Sequence, residues 1–294
     1  MEEKNISAQA MKMIKAMQQN ELTESVIYAA IAKKTKNQHN KDILERLSRE
    51  EYDHYKIWKE YSQEELKPQG GKVLWFKILA KIFGFTFAIK MMENGEEGAQ
   101  VNYQTLVSEV PKAEFIKAQE KEHEAALVEL LDEEKLKYVG SMVLGLNDAL
   151  VELTGTLAGL TFALQNTKLI ALSGLITGIS ATLSMASSEF LSAKSEGRSD
   201  ALKSCTYTGA AYVCTVALLI APYLLFDDAH FMYALATMLV IVVMIIAGFN
   251  YYISVAQDLP FKKRFTEMAT ISLSVALLSF IIGIFVKKFL GIDI

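Results

Sequence analysis

Cysteine, histidine and proline are scarce in this sequence of 294 residues, which contains two, four and four of them. Both cysteines, Cys205 and Cys214, fall in apolar sequence, which argues against a disulfide framework and a cysteine-ligated zinc site. There is no long basic run of the kind that binds nucleic acid, and no phosphate-binding loop of an ATPase. The opening stretch "MEEKNISAQAMK" lacks the apolar core of a signal peptide, so we expect the first residues to stay in the cytosol.

Charge is distributed very unevenly along the chain. Residues 1–140 hold 21 of the 30 Lys and Arg residues and 24 of the 34 Asp and Glu residues. The remainder is much more apolar, and such a contrast between halves predicts two domains. We place them at residues 1–134 and 135–294, and the helical periodicity of both predicts an all-α protein.

The second domain contains five apolar stretches, each long enough to cross a hydrocarbon core of about 30 Å as a helix. Their approximate bounds are 139–164, 169–193, 204–226, 231–254 and 266–286. Lys and Arg residues precede the first stretch and concentrate in the loops that follow the second and fourth. Because basic loops favour the cytosolic side, we expect an integral membrane protein with its N-terminal domain in the cytosol and its C-terminus outside. A prokaryotic cell membrane is the expected location.

A further apolar segment, residues 73–92, connects the two halves of the first domain. It is nearly long enough to span a membrane, but Lys77 and Lys81 share one helical face and Trp75 lies on another. This pattern favours a helix that lies in the membrane interface or packs along a bundle. A transmembrane helix here would bury lysines in lipid and invert the topology that the loops support.

Polar residues within the apolar stretches predict a transport pathway, because ionisable groups are costly in lipid. Asp148 and Glu152 lie four residues apart in the first stretch, and Met185 and Glu189 lie four apart in the second. At 1.5 Å per residue, Asp148 and Met185 are both about 14 Å from the cytosolic ends of their helices. A carboxylate and a thioether at matched depth suit a divalent metal of intermediate softness. Methionine is also common as apolar filler.

The stretches "GLNDALVELTGTLAGL" and "LSMASSEFLSAKSE" resemble the first two transmembrane helices of the vacuolar iron transporter family. The resemblance, over most of residues 138–290, implies export of Fe²⁺ and related divalent metals from the cytosol by proton exchange, through a homodimer. It assigns Asp148 as the transport aspartate and Met185 as a pathway methionine. Ala149 departs from the family's glycine, and Thr177 stands where plant members have a glutamate. The loop "AKSEGRSDALK" is too short for the acidic metal-binding helices that plant members insert there.

The first domain carries a duplicated pattern. Glu51 and His54 form one Glu-x-x-His, and Glu120 and His123 form another, on the second and fourth helices of two predicted hairpins. A glutamate and a histidine three apart share a helical face, and a single such pair is usually a solvated face. Two pairs, with one glutamate from each of the other helices, form the ligand set of a di-iron bundle. Oxygen-rich ligands with two imidazoles suit iron or manganese.

The stretch "IKAMQQNELTESVIYAAIA" is similar to the first helix of rubrerythrins, within the ferritin-like superfamily. That resemblance implies a four-helix bundle in which Glu21 is the ligand of the first helix and the two Glu-x-x-His pairs are ligands of the second and fourth. On the third helix Glu93, Glu96 and Glu97 remain alternatives. No rubredoxin-like module follows, which leaves out the electron-transfer partner of a rubrerythrin peroxidase cycle.

Together the domains predict a divalent metal transporter, for Fe²⁺ or Mn²⁺, with a cytosolic di-iron domain that captures, senses or oxidises iron. The expected pathway residues are Asp148, Glu152, Met185 and Glu189. The alternative is a membrane-anchored di-iron oxidase or peroxidase, and oxidase activity of the first domain stays open in either case. Expected partners are divalent metal ions, protons, the lipid bilayer and a second copy of the chain, without nucleic acid.

Overall fold

The computed structural model describes residues 6–95, 106, 109–129, 138–257 and 259–290. Within these residues every regular element is helical and no strand occurs, which confirms the all-α prediction. The chain divides into two compact units, Met1–Leu136 and Lys137–Ile294.

Five helices make up the described part of the first unit: α1 (Ala8–Ala32), α2 (Gln38–Ser62), α3 (Gly70–Phe83), α4 (Phe85–Asn94) and α5 (Lys112–Glu129). Ser7 begins α1, because its side chain accepts a hydrogen bond from the amide of Ala10, and Asn37 begins α2 in the same way. Helices α1 and α2 form a long hairpin, and their core includes the fully buried Trp58, packed with Leu106, Val110 and Ile116.

The apolar segment 73–92 differs from the single helix that the sequence predicted. It is broken at Gly84, whose φ of 101° separates α3 from α4. This left-handed conformation is easily reached only by glycine, which explains why the break falls there. The predicted third helix of the bundle, residues 91–110, is described only in part. Glu96 and Glu97 lie outside the described residues.

Among its described residues, the second unit has five helices that are long and apolar enough to cross a membrane, as the sequence predicted. They are α6 (Val139–Leu164), α7 (Thr167–Ser195), α8 (Ala201–Leu225), α9 (Phe231–Gln257) and α10 (Phe261–Leu290). A short 3₁₀ turn, Asp228–His230, precedes α9. Helix α6 is not uniformly α-helical, because residues Ala149–Leu153 form a π-helical turn directly after Asp148.

Glycines bring the spans of the second unit into close contact. Gly155 and Gly159 on α6 face Val275 and Ser279 of α10. Opposite them, a Cβ added to Gly283 would clash with the backbone of α6, because it would lie 2.3 Å from the carbonyl oxygen of Gly159. On α7, Gly174 and Gly178 instead face side chains of α6 and α8. Both Gly-x-x-x-Gly pairs therefore serve packing within the chain.

Candidate metal centre and membrane cavity

Both Glu-x-x-His pairs of the first unit point into its interior. On α2, Glu51 is 3% exposed and His54 is fully buried, and on α5 His123 is 2% exposed. Glu120 is partly buried beside them. Ionisable side chains are rarely buried unless they are paired or bind a metal. We call Glu51, His54, Glu120 and His123 the histidine group; one potential ligand atom from each lies within 4.8 Å of the others.

The two imidazole rings of the histidine group are oriented alike. Nδ1 of His54 lies 3.1 Å from Glu120 Oε1 and 3.4 Å from Glu51 Oε2. Nδ1 of His123 lies 3.0 Å from Glu51 Oε1 and 3.7 Å from Glu120 Oε2. The rings stack with their centroids 5.4 Å apart. Each carboxylate therefore faces both imidazoles, so that a cation between them would meet nitrogen and oxygen ligands together.

A side chain from outside the histidine group lies next to the second nitrogen of each imidazole ring. Nε2 of His54 lies 3.0 Å from Gln119 Oε1, within hydrogen-bonding distance. Nε2 of His123 lies 2.9 Å from Glu50 Oε2. Histidine ligands of metals commonly use one ring nitrogen for the metal and the other for such an orienting contact. The sequence analysis did not identify Gln119 or Glu50, although each directly precedes a glutamate of a Glu-x-x-His pair.

Unsatisfied polar atoms test whether the histidine group fits a metal. Four of its atoms are buried without a hydrogen bond of acceptable geometry: Glu51 Oε2, His54 Nδ1, Glu120 Oε1 and His123 Nε2. A buried polar atom without a partner costs about 1–3 kcal/mol. Three of these atoms face the space between the two Glu-x-x-His pairs. A divalent cation there would satisfy them, so the residues fit a metal.

A second group of potential ligands shares one member with the first. Glu21, Glu24 and Glu51, which we call the carboxylate group, are all buried and also have ligand atoms within 4.8 Å of one another. Glu51 belongs to both groups and is placed as a bridging carboxylate would be. Glu24, which the sequence analysis did not single out, forms an ion pair of 2.9 Å with Lys72.

Burial alters the ionisation of these carboxyls. Desolvation raises the pKa of Glu21 to about 8, and the nearby charge of Glu51 adds to the effect. Desolvation likewise raises the pKa of Glu51 to about 7, against hydrogen bonds that lower it. Burial alone would lower the pKa of His54, but its carboxylate neighbours outweigh this desolvation and raise the pKa. The metal-free site therefore retains protons near neutral pH that a bound cation would displace.

Glu93 is the third-helix candidate that the structure describes. Its Oε1 accepts a hydrogen bond of 2.5 Å from the hydroxyl of Tyr28. Desolvation raises its pKa to about 8, with contributions from the charges of Glu24, Glu120 and Glu51. Glu93 therefore experiences the charges of both groups. Trp58, another residue missed at the sequence level, donates to Glu21 through its indole nitrogen at 3.2 Å.

The second unit has a cavity of about 510 Å³ between α6 and α7. Its lining brings together Asp148, Glu152 and Met185, three of the four expected pathway residues, and includes Thr177. Hydroxyls from α7 complete the polar lining: Ser180, Ser184 and Ser188. The cavity thus offers two carboxylates, a thioether and several hydroxyls to a cation.

Two side chains near this cavity differ from the sequence expectation. Tyr212 of α8, which was not identified, is fully buried and donates its hydroxyl to Glu152 Oε2 at 3.1 Å. Glu189, the fourth expected pathway residue, does not line the cavity in the described part of the chain. Its Oε1 accepts from Ser141 Oγ and from Arg198 Nη2, each at 3.0 Å, and also from Ser204 Oγ. Glu189 therefore links α6, α7 and α8 next to the loop after α7.

Comparison with known proteins gives one family match. No curated protein and no solved structure matches the chain. Residues 139–201 match the model of the VIT family, and this segment holds Asp148, Glu152 and Met185. Together with the five apolar helices, the match supports an integral membrane protein. This similarity suggests that the second unit serves in the transport of metal ions.

Proposed function

We propose that this protein exports Fe²⁺, with Mn²⁺ as the alternative cargo, from the cytosol in exchange for protons. Residues 135–294 form the pathway, and residues 1–134 form a ferritin-like domain with a two-metal site on the cytosolic side. The observation that carries the proposal is the cavity lined by Asp148, Glu152 and Met185, within the segment that matches the VIT family.

The donor set of the cavity supports a divalent cargo of intermediate softness. Carboxylates alone favour hard cations such as Mg²⁺ and Ca²⁺, whereas a thioether favours softer ones. Asp148 and Glu152 provide the carboxylates, and Met185 provides the thioether. The hydroxyls of α7 can replace part of the hydration shell as the ion enters. Such a mixed set suits Fe²⁺ and Mn²⁺.

Two carboxyls in one cavity also support proton exchange. Asp148 and Glu152 line the same cavity, so a divalent cation bound there would be matched in charge by two carboxylates. In the proposed exchange, protons take the place of the cation when it leaves. The hydroxyl of Tyr212, which donates to Glu152, holds that carboxylate in place.

Exposed apolar residues on α7 support a homodimer. They lie along the helix that borders the cavity: Leu172, Leu175, Ile176, Ile179 and Leu183. Ile176 both lines the cavity and is 59% exposed. A second copy placed against α7 would enclose the cavity between two protomers, as the family resemblance implies.

The first unit supplies the cytosolic metal site of the proposal. Glu21 and the histidine group would hold two ions, with Glu51 between them. Glu93, which accepts a hydrogen bond from Tyr28, would be the ligand from the third helix. When bound, iron supplies reversible one-electron chemistry, which allows capture, sensing or oxidation. The protein's own groups bind and orient: the carboxyls release protons to the incoming ions, Gln119 and Glu50 fix the imidazoles, and the buried position limits access of water.

A flux assay tests the transport proposal. The full-length protein is reconstituted in proteoliposomes, and Fe²⁺ flux is measured with and without a pH gradient. We expect Asp148→Asn and Met185→Ala to abolish flux, because each removes a ligand from the cavity. The matched controls are Asp227→Asn, an exposed carboxylate in the connector before α9, and Met244→Ala, an exposed methionine on α9.

The controls should transport like the wild type. Normal flux in the Asp148→Asn protein would refute the pathway assignment. If wild-type protein showed no flux but oxidised Fe²⁺, the membrane-anchored oxidase would become the better function.

A further inference from the structure

Helix α3 presents three different faces around its axis. Phe76 and Leu79 are buried and pack the helix onto the first unit, where α3 contacts α1. Leu74, Trp75 and Ile78 are 58%, 53% and 41% exposed. At about 100° per residue, these three fall within a sector of about 100°. The buried side chains therefore fix the helix so that an apolar stripe with an indole ring faces outward.

Two lysines border that apolar stripe. Lys77 and Lys81 are both exposed and lie one turn apart, on the side of the stripe away from Leu79. We call Leu74, Trp75, Lys77, Ile78 and Lys81 the outer face of α3. This combination of indole, aliphatic and lysine side chains is not needed to bury α3 on its own unit, because Phe76 and Leu79 already do so. Contiguous exposed apolar surface of this kind marks an interaction site.

We propose that the outer face of α3 binds the cytosolic surface of a lipid bilayer that contains anionic lipids. An interfacial helix buries its apolar side chains about 5–10 Å into the boundary between headgroups and acyl chains. Tryptophan prefers this boundary, because its ring is apolar and its N–H is polar. Lysines beside the stripe extend to the headgroups and are attracted by anionic lipid.

The bilayer fits this face better than a second copy of the chain does. Two outer faces brought together around a two-fold axis would place Lys77 and Lys81 of both copies in one apolar contact, where like charges repel. Anionic headgroups complement the same lysines. The bilayer is also close at hand, since the described residues include five helices that are long and apolar enough to cross it, so the contact forms within one assembly at a high effective concentration.

The tryptophan content of the chain gives a direct test. There are two tryptophans, and Trp58 is fully buried. Trp58→Phe therefore leaves Trp75 as the only indole of the full-length protein. This variant is placed in nanodiscs with lipids brominated either near the headgroup or near the chain end. We expect shallow bromines to quench at least half of the Trp75 emission, deep bromines to quench less, and acrylamide in water to have little effect. The matched control is Trp75→Phe, whose Trp58 neither bromine should quench.

Two outcomes would overturn the proposal. If acrylamide quenches Trp75 freely and bromolipids do not, the outer face of α3 is in water. If neither acrylamide nor bromolipid quenches it, protein covers the face, and a second copy becomes the occupant. Either result stands whether or not the protein transports metal.

Charge reversal tests whether Lys77 and Lys81 contribute to the contact with the bilayer. Lys77→Glu with Lys81→Glu, made in the Trp58→Phe protein, should lower the bromolipid quenching of Trp75 at least twofold in anionic nanodiscs and much less in neutral ones. Lys33→Glu with Lys34→Glu is the matched control, because it makes the same charge change on two exposed lysines at the end of α1. Equal loss in both pairs would mean that net charge, and not this face, governs the contact.

Discussion

Glu51 belongs to both candidate metal groups of the first unit, so we expect Glu51→Gln to weaken the binding of both ions. The substitution keeps the size of the side chain but removes its charge and one ligand oxygen. Loss of an outer partner alone costs about 10–100-fold in metal affinity, so loss of a ligand should cost at least about 100-fold at each position. His123→Ala, which touches only the histidine group, should mainly affect one ion.

The effect can be read as stability. With free metal at about 100 times the dissociation constant, each bound ion stabilises the folded state by about 2.7 kcal/mol, or about 5.4 kcal/mol for two. A 100-fold weaker affinity reduces this to about 0.4 kcal/mol per ion at the same metal concentration. For a unit of this size the difference corresponds to a loss of more than about 10 °C in the metal-induced rise of Tm.

The assay uses Mn²⁺, which does not oxidise in air, and full-length protein in detergent. Bound Mn²⁺ is counted by equilibrium dialysis, and Tm is measured with and without metal. Asp53→Asn is the matched control, an exposed carboxylate on the same helix. Metal-free Glu51→Gln should unfold at the same temperature as the wild type or higher at pH 8, because burial raises the pKa of Glu51 to about 7 and makes its charge costly. A variant that still binds two ions tightly would show that Glu51 does not bridge them.

Four further predictions concern the metal site, the cavity and the packing of the membrane helices. Burial raises the pKa of Glu21 to about 8, so Mn²⁺ affinity, measured by dialysis at each pH, should increase from pH 6 to 8. The metal-free first unit should lose stability over the same range, because its folded state keeps protons that the unfolded chain has released. Tyr212→Phe removes the hydroxyl that donates to a cavity carboxylate and should lower Fe²⁺ flux roughly tenfold, since a hydrogen bond to a charged group contributes about 1.5 kcal/mol or more. If the first unit supplies metal ions to the pathway, Glu51→Gln should reduce flux at low Fe²⁺ and leave it unchanged at saturating Fe²⁺. Identical flux curves for wild type and variant would mean that the first unit does not supply the pathway. Gly283→Ala should destabilise the detergent-solubilised protein by about 1–3 kcal/mol, because the added methyl meets backbone, whereas Gly248→Ala, with no atom within 4 Å of the added Cβ, should not.

Patterns that repeat along the chain were readable from the sequence. The five apolar helices follow from hydropathy and length alone, and the structure has them within a few residues of the predicted bounds. The spacing of Glu51 and His54 placed both on one face of α2, and the same holds for Glu120 and His123 on α5. In each case the inference needs only the geometry of one helix, which is why a single sequence suffices.

Contacts between distant residues could not be read in this way. Tyr212 meets Glu152 across 60 positions, and Trp58 meets Glu21 across 37, without any local pattern that marks the partner. Glu189 shares a helical face with Met185 by spacing, yet hydrogen bonds from α6, α8 and the loop after α7 hold it outside the cavity lining. The break at Gly84 depends on its backbone conformation, which a hydropathy pattern does not show.

The π-helical turn at Ala149–Leu153 makes α6 tolerant of one particular change of length. A π turn contains one residue more than an α turn, and removal of that residue would restore regular α geometry. Because the wider turn absorbs its extra residue within about one rotation of the helix, the later residues of α6 would keep their direction relative to Asp148. Gly155 and Gly159 would still face α10. A deletion after the turn, between Gly155 and Gly159, has no extra residue to remove and would rotate Gly159 by about 100° away from Ser279. A single-residue deletion inside the turn should therefore be far less damaging than the same deletion after it.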